Sequence, residues 1–132
     1  MNHVIADTHA IIWFLSNDAR LSVVARQACL QAQNEHGLFV SAITSVEMQY
    51  LVERQRIPAE RYHEFLAQIA HENAGVQLVD VDRHVAESIR RVPRSEVRDM
   101  PDRIIAATAL HLGVPLVSRD RKIRASSVET IW

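Results

Sequence analysis

Short apolar runs alternate with longer stretches of helical periodicity along this chain, and no other feature limits the fold as strongly. Five runs are typical of strands: residues 3–6, 38–40, 76–79, 115–117 and 128–132. Helical patterns separate them over residues 8–15, 22–34, 43–55, 59–72, 83–91 and 102–112. Strands joined through helices need crossover connections. The pattern therefore predicts an α/β fold with a mainly parallel central sheet of four to five strands and helices on both faces.

The chain has 132 residues, which suits one domain with its own core, so we expect a single domain over residues 1–132. Its one cysteine, Cys29, excludes an intrachain disulfide and a thiolate zinc cluster. The longest apolar run, residues 10–15, is too short to cross a membrane, and no basic segment precedes an apolar stretch near the first residue. We expect a soluble cytoplasmic protein with no membrane contact.

The charge is distributed unevenly although the formal net charge is only −1. Residues 35–82 carry eight acidic and three basic residues, whereas residues 83–124 carry ten basic and five acidic residues. Arginine supplies all the basic residues except Lys122, and its planar guanidinium is suited to phosphate. The basic half could therefore face a polyanion, although a solvated arginine-rich surface explains the charges equally well.

Four acidic residues fall where an open parallel sheet binds its ligands, at the edge formed by the carboxyl ends of the strands. Asp7 directly follows the first strand, and Asp120 lies three residues beyond Val117. Glu47 lies in the helix after the second strand, about two turns beyond Val40. Asp102 begins the helix that leads into the fourth strand, and this helix must start at the same edge. We therefore expect these four carboxylates to lie together.

Four neighbouring carboxylates repel one another and raise each other's pKa unless a cation lies among them. A hard divalent cation, Mg²⁺ or Mn²⁺, fits oxygen ligands best and would be held mainly through water. Such a site suits hydrolysis of a phosphodiester bond. Singly, Asp102 is better explained as a helix cap, Asp120 as a turn residue and Glu47 as a solvated residue. Asp7 is hardest to explain in this way, and the four together favour a site.

The ordered motifs resemble those of the PIN-domain ribonucleases, and within them the VapC-like toxins of toxin–antitoxin pairs. Four segments carry the resemblance: Asp7-Thr8-His9-Ala10, the helix over residues 102–109, Leu116-Val117-Ser118-Arg119-Asp120, and Glu129-Thr130-Ile131-Trp132. The resemblance implies a magnesium- or manganese-dependent endoribonuclease that acts on RNA and is inhibited by a VapB-like antitoxin. We also expect a homodimer. Asp7, Glu47, Asp102 and Asp120 correspond to the family's catalytic and metal-binding acids.

Four further residues are expected to support this site. Ser118 stands where the family has Thr or Ser two places before the last acid, and Thr8 and Thr44 are hydroxyls that could hold water or phosphate. Capping a helix is the other role for these threonines, and the favoured one for Thr44. The segment Asp99-Met100-Pro101-Asp102 departs from the usual pattern, so Asp99 could share the metal or only orient Arg103. We leave Asp99 outside the metal set.

Two other functions are compatible with parts of the pattern. A catalytically silent PIN-like module would bind RNA or protein, but the presence of all four acids disfavours it. A receiver-type signalling domain would use an aspartate after the third strand, here Asp80, but it also needs an early acidic pair and a suitably placed lysine, which are absent. The histidines show no tight metal-ligand spacing, and packing in its helix is the favoured role of His9.

Two surfaces are expected from the same reasoning. The arginines around the Pro93 loop should face RNA phosphates at the carboxyl edge of the sheet: Arg90, Arg91, Arg94 and Arg98. The helices over residues 8–15 and 43–55 carry more apolar side chains than one sheet face can bury, so some should line an exposed groove for an antitoxin helix. These side chains are Ile11, Ile12, Trp13, Phe14, Met48, Tyr50, Leu51 and Val52.

Overall fold

The fold is a five-stranded, all-parallel sheet with helices on both faces, as seen in a computed structural model that describes all 132 residues. The strands are β1 (Val4–Ala6), β2 (Leu38–Ser41), β3 (Val76–Val79), β4 (Leu116–Val117) and β5 (Thr130–Ile131). They lie in the order β3-β2-β1-β4-β5. The strand order reverses at β1, so the boundary between β1 and β4 is the point where such sheets bind ligands.

Seven α-helices connect and cover the strands: α1 (Thr8–Leu15), α2 (Val23–Asn34), α3 (Ala42–Glu53), α4 (Ala59–Ala70), α5 (Arg83–Ser88), α6 (Met100–Leu112) and α7 (Arg121–Arg124). A single 3-10 turn over Ile89–Arg91 follows α5, in place of the continuous helix predicted to residue 91. The short helix α7 was not predicted. None of the helices combines the length and apolar character needed to cross a bilayer.

The alternating side chains of β1 divide the core into two layers. Val4 and Ala6 belong to a layer built with α1, α2, α3 and α4, whereas Ile5 belongs to a layer built mainly with α6. In β4, Val117 joins the first layer and Leu116 joins the second. Because both faces of the sheet are covered at its centre, β1 and β4 are apolar and buried throughout, and polar groups come only after their ends.

Helix α6 begins two residues earlier than predicted. Asp99 has extended backbone angles and its carboxylate accepts a hydrogen bond from the Asp102 backbone N–H (3.2 Å), which is the geometry of an N-cap. Pro101 lies in the first turn, where its missing N–H costs nothing. The predicted start at residue 102 was therefore too late, and the cap and first turn of α6 together carry two carboxylates, Asp99 and Asp102.

The apolar groove expected along α1 and α3 is largely filled. Four of its eight predicted side chains are buried, and three more are half-buried: Ile11, Ile12, Trp13 and Met48, then Phe14, Leu51 and Val52. Helix α4 packs against both α1 and α3 and supplies part of this cover. Tyr50 stays exposed, and with Val46 one turn earlier it forms an apolar strip on the outer side of α3.

Candidate active site

Asp7 is fixed at the junction between the central strand and the first helix. Its backbone continues the extended conformation of β1, and its N–H donates to the Val117 carbonyl of β4 (3.1 Å). Its carboxylate then accepts a hydrogen bond from the Ala10 N–H (2.9 Å) and caps α1. The side chain is only 9% exposed, which leaves it little freedom to move.

Burial raises the pKa of Asp7, and the negative charge of Asp120 acts in the same direction. The Ser118 hydroxyl and the Ala10 N–H lower it in part. The carboxylate is thus held by hydrogen bonds but has no cationic side chain paired with it. A buried anion of this kind is stabilised when a cation binds beside it.

The segment after β4 places Ser118 and Asp120 next to Asp7. Ser118 is completely buried, and its hydroxyl accepts a hydrogen bond from the Asp120 N–H (3.1 Å). One Asp120 oxygen accepts from the N–H groups of Lys122 (2.9 Å) and Ile123 (3.0 Å), which caps α7. Asp120 therefore has the turn-forming role considered from sequence and also faces the other acids.

Glu47 reaches the same edge from α3 and is held by a chain of hydroxyls. The Thr8 hydroxyl donates to the Glu47 carboxylate (2.5 Å), and the Thr44 hydroxyl lies 3.1 Å from Thr8 Oγ1. Since the Thr8 proton goes to Glu47, Thr44 must donate to Thr8. Thr44 is fully buried and does not cap α3, because Ser41 does so. The favoured capping role of Thr44 was therefore wrong.

Asp102 projects from the first turn of α6 towards the other carboxylates. Burial raises its pKa to about 8, and the negative charges of Asp99, Asp120 and Glu47 add to this effect. The pKa of Glu47 is also raised, first by burial and then by Asp99 and Asp7, against the lowering effect of the Thr8 hydrogen bond. These mutual effects are the electrostatic signature of acids that share one space.

Five carboxylates line one cleft of about 420 Å³, hereafter the acidic cleft: Asp7, Glu47, Asp99, Asp102 and Asp120. The four acids predicted from sequence are thus brought together, and Asp99 joins them. Asp99 does not orient Arg103, whose guanidinium donates instead to the Ile89 and Val92 carbonyls. The exposed Asp80 follows β3 at the edge of the sheet and does not line this cleft, which leaves the receiver alternative without support.

The oxygen-only lining of the acidic cleft suits a hard divalent cation such as Mg²⁺ or Mn²⁺. As the side chains stand, no three of them converge tightly enough to hold an ion by direct bonds alone. Magnesium commonly keeps several water ligands and takes only one or two protein carboxylates. The residues present therefore fit a hydrated cation, in agreement with the water-mediated binding expected from sequence.

Three further residues line the acidic cleft, and two of them were missed from the sequence. His9 is exposed and lines the cleft, and its ring also packs against Trp13 in the same helix, with the ring centres 5.6 Å apart, as expected. Arg20 and Arg119 also line the acidic cleft, and so does Trp13. Arg20 follows α1 with no motif to mark it, whereas Arg119 lies inside the quoted segment Ser118-Arg119-Asp120. Only the position of Arg119 next to Asp120, a predicted metal-binding residue, could have indicated that it lines the cleft.

Two of the four arginines around Pro93 lie differently from the prediction. Arg91 donates to the Leu110 carbonyl (3.4 Å) near the far end of α6, away from the acidic cleft, and Arg90 pairs with Glu87. Arg98, in contrast, lines a second cleft beside the acids. The arginine-rich segment thus does not face the carboxyl edge of the sheet as a unit.

A family model described as the PIN domain matches residues 4–127. The chain belongs to the PIN-domain family. This PIN domain is 35% identical over 126 residues to Ribonuclease VapC22 of Mycobacterium tuberculosis (strain ATCC 25618 / H37Rv), an alignment that covers 95% of this chain and 92% of that protein. The family and the α/β fold expected from the sequence motifs are confirmed.

Solved structures with the same fold come from several organisms. VapBC2 from Rickettsia felis bound to a promoter DNA fragment matches with a TM-score of 0.70 at 13% identity, over 96% of each chain. DNA-bound VapBC from Salmonella typhimurium matches with a TM-score of 0.68 at 20% identity, over 98% of this PIN domain and 97% of the other chain. A toxin–antitoxin complex from Klebsiella pneumoniae matches with a TM-score of 0.60 at 23% identity, over 92% and 91%.

Proposed function

We propose that this PIN domain is a Mg²⁺- or Mn²⁺-dependent endoribonuclease that acts as the toxin of a toxin–antitoxin pair. The observation that carries the proposal is the convergence of Asp7, Glu47, Asp102 and Asp120 in one cleft at the reversal point of the sheet. The printed name of the relative in Mycobacterium tuberculosis, a ribonuclease, supports the activity. The VapBC and toxin–antitoxin titles of the structural neighbours support the partner.

The four acids would hold the cation, which when bound supplies an activated water and neutralises charge that develops on the phosphodiester. The chain's own residues fix the geometry of that site. The α1 cap and Ser118 orient Asp7, while Thr8 and Thr44 orient Glu47. Asp99 is left outside the proposed metal set, as from the sequence, although it lines the same cleft.

The cleavage assay uses purified full-length protein and single-stranded RNA with Mg²⁺, with Mn²⁺ and with excess EDTA. Activity should require either cation, survive a zinc-selective chelator and stop with EDTA, because the ligands are all oxygens. The matched control is Asp80→Asn, which removes a strand-end carboxylate outside the acidic cleft and should keep full activity. Full activity in EDTA would overturn the metal mechanism.

The antitoxin is proposed to dock on the apolar strip of Val46 and Tyr50 on α3, which flanks Glu47 in sequence. From there a basic side chain of the partner could reach the acidic cleft and replace the cation. Double substitution Val46→Ser with Tyr50→Ser should weaken the complex by about tenfold or more, since both side chains would lose buried apolar area. Calorimetric titration with the cognate antitoxin tests this, and unchanged affinity would place the interface elsewhere.

A further inference from the structure

Trp13 forms the only apolar wall of the acidic cleft, and two guanidinium groups lie over its ring. The Arg119 Cζ lies 4.5 Å from the centre of the Trp13 ring and the Arg20 Cζ lies 5.1 Å from it. The indole is nearly buried and also contacts Trp132, so its position is fixed by the core. A fixed aromatic ring that attracts cations thus borders the acids.

The two arginines differ in how their charge is used. Arg20 makes a two-pronged ion pair with Asp18, through Nε at 3.0 Å and an outer nitrogen at 2.8 Å, so its charge is compensated. Arg119 makes no side-chain hydrogen bond and no ion pair, although it is flanked in sequence by Ser118 and Asp120. Its guanidinium lies on Trp13 and keeps its hydrogen-bond donors available to a ligand.

A second cleft of about 290 Å³ adjoins the acidic cleft and shares Asp99, Asp102 and Asp120 with it. Its other charged residues are Arg98, Arg121 and Lys122, all exposed and none of them in an ion pair. Uncompensated positive charge therefore lies on this side of the acids as well as at Arg119. A single small anion would contact one side only, whereas a strand with an anion at each unit would satisfy both.

We propose that an RNA strand crosses the acidic cleft between these two positively charged sides, and that Arg119, held on Trp13, binds a phosphate next to the one that is cleaved. The inference rests on the proposed ribonuclease function. It adds the path of the RNA strand across the cleft and one positioning residue, Arg119. The acids themselves repel phosphates, so flanking cations are needed to bring the strand to them. An arginine fork on a fixed ring holds a phosphate with little loss of side-chain freedom.

The test is a binding measurement that does not depend on cleavage. Fluorescein-labelled single-stranded RNA of mixed sequence is titrated with the full-length Asp7→Asn protein in EDTA, at several KCl concentrations, and followed by anisotropy. Adding Arg119→Gln should weaken binding about 3- to 10-fold. It should also lower the slope of log K against log salt by about 0.7, which corresponds to one phosphate contact on a single strand. Arg119→Lys should keep the slope but lose part of the affinity, because lysine lacks the planar fork.

Arg56→Gln is the matched control, since it removes the same charge from an exposed arginine beyond the far end of α3. It should leave affinity within about twofold and the salt slope unchanged. Unchanged affinity in Arg119→Gln, or an equal loss in Arg56→Gln, would overturn the proposal. Failure of the ribonuclease function would appear separately, as absence of RNA cleavage by the unsubstituted protein with Mg²⁺ or Mn²⁺.

Discussion

At the scale of single residues, the acids of this site also serve as structural caps. Asp7 caps α1, Asp99 caps α6 and Asp120 caps α7. Each cap fixes a carboxylate through backbone N–H groups whose positions the helix sets, so the acids are oriented without ion pairs. The cap role considered for Asp102 belongs instead to Asp99, whereas the turn role considered for Asp120 coexists with its place in the cleft.

Asp7→Asn should abolish RNA cleavage and leave the fold intact. The amide oxygen of asparagine can still accept the Ala10 N–H, and removing a buried charge from among repelling acids leaves stability unchanged or slightly higher. Thermal unfolding and the RNA assay together check this. Asp7→Ala, which also removes the cap, should cost about 1 kcal/mol. Unfolding of Asp7→Asn at ordinary temperature would mean that the charge itself is structural.

Asp102 should make the metal-free protein less stable as the pH rises. Its folded-state pKa of about 8 lies above the value of 3.8 for a free carboxyl, so the folded protein binds this proton more tightly than the unfolded chain. The proton on Asp102 therefore contributes its full stabilisation of the fold below about pH 4. This stabilisation is lost progressively as the pH rises to about pH 8. In EDTA at pH 8, Asp102→Asn should stabilise the protein by about 1–2 kcal/mol. This is less than the free energy that corresponds to the full pKa shift, because solvent screens the partly exposed carboxyl.

Melting curves of both proteins between pH 4.5 and 8.5 measure this effect. The gain from Asp102→Asn should shrink towards the acid end, and Mg²⁺ should raise the midpoint of the unsubstituted protein more than that of the variant. A difference between the two proteins that stays constant over this pH range would contradict the electrostatic origin.

At the scale of elements, the sequence predicts the strands from their short continuous apolar runs and most helices from an apolar period of 3.6 residues. It fails where one local signal outweighs the pattern. The helix was predicted to start after Pro101, which in fact lies in the first turn of α6, and the four-residue α7 is too short to show a period. The convergence of the four acids followed from sheet topology alone, whereas the contacts of Arg20, Arg119 and Trp13 depend on tertiary packing that no sequence period encodes.

Helices α1 and α3 are joined across the acidic cleft by the hydroxyl chain from Thr44 through Thr8 to Glu47. Thr8→Val should lower the free energy of unfolding by about 1–3 kcal/mol, because the buried Thr44 hydroxyl loses its partner. It should also reduce cleavage, since Glu47 loses the donor that orients it. Thr8→Ser keeps the hydroxyl and should retain most activity. Denaturant unfolding and initial rates of RNA cleavage test the two variants. Equal cleavage rates in Thr8→Val and Thr8→Ser would exclude an orienting role for the Thr8 hydroxyl.

At the scale of the whole molecule, the uneven charge seen in the sequence becomes a local arrangement around one edge of the sheet. The bases of residues 83–124 do not form one surface: Arg98, Arg121 and Lys122 border the acids, while Arg91 lies near the far end of α6. The composition was equally compatible with binding to a polyanion and with a solvated arginine-rich surface, and only the fold shows which bases lie near the acids. The net charge of −1 conceals this completely.

Binding of the antitoxin and of the cation should oppose each other. If a basic side chain of the partner occupies the acidic cleft, the partner must lower Mn²⁺ affinity, and Mn²⁺ must weaken the partner by the same factor. Manganese titrations with and without the antitoxin, and partner titrations with and without manganese, measure both sides of this linkage. Equal manganese affinity in both states would restrict inhibition to blocking the RNA path.

The central position of β1 also sets when the catalytic centre can exist during synthesis. Asp7 emerges first, but β4, which pairs with β1 and carries Asp120 behind it, is separated from it by more than 100 residues. Until that distant pairing forms, Asp120 is not beside Asp7. Contacts of such long range form late and slowly. A nascent chain whose β4 is still inside the ribosome therefore lacks a complete acidic cleft.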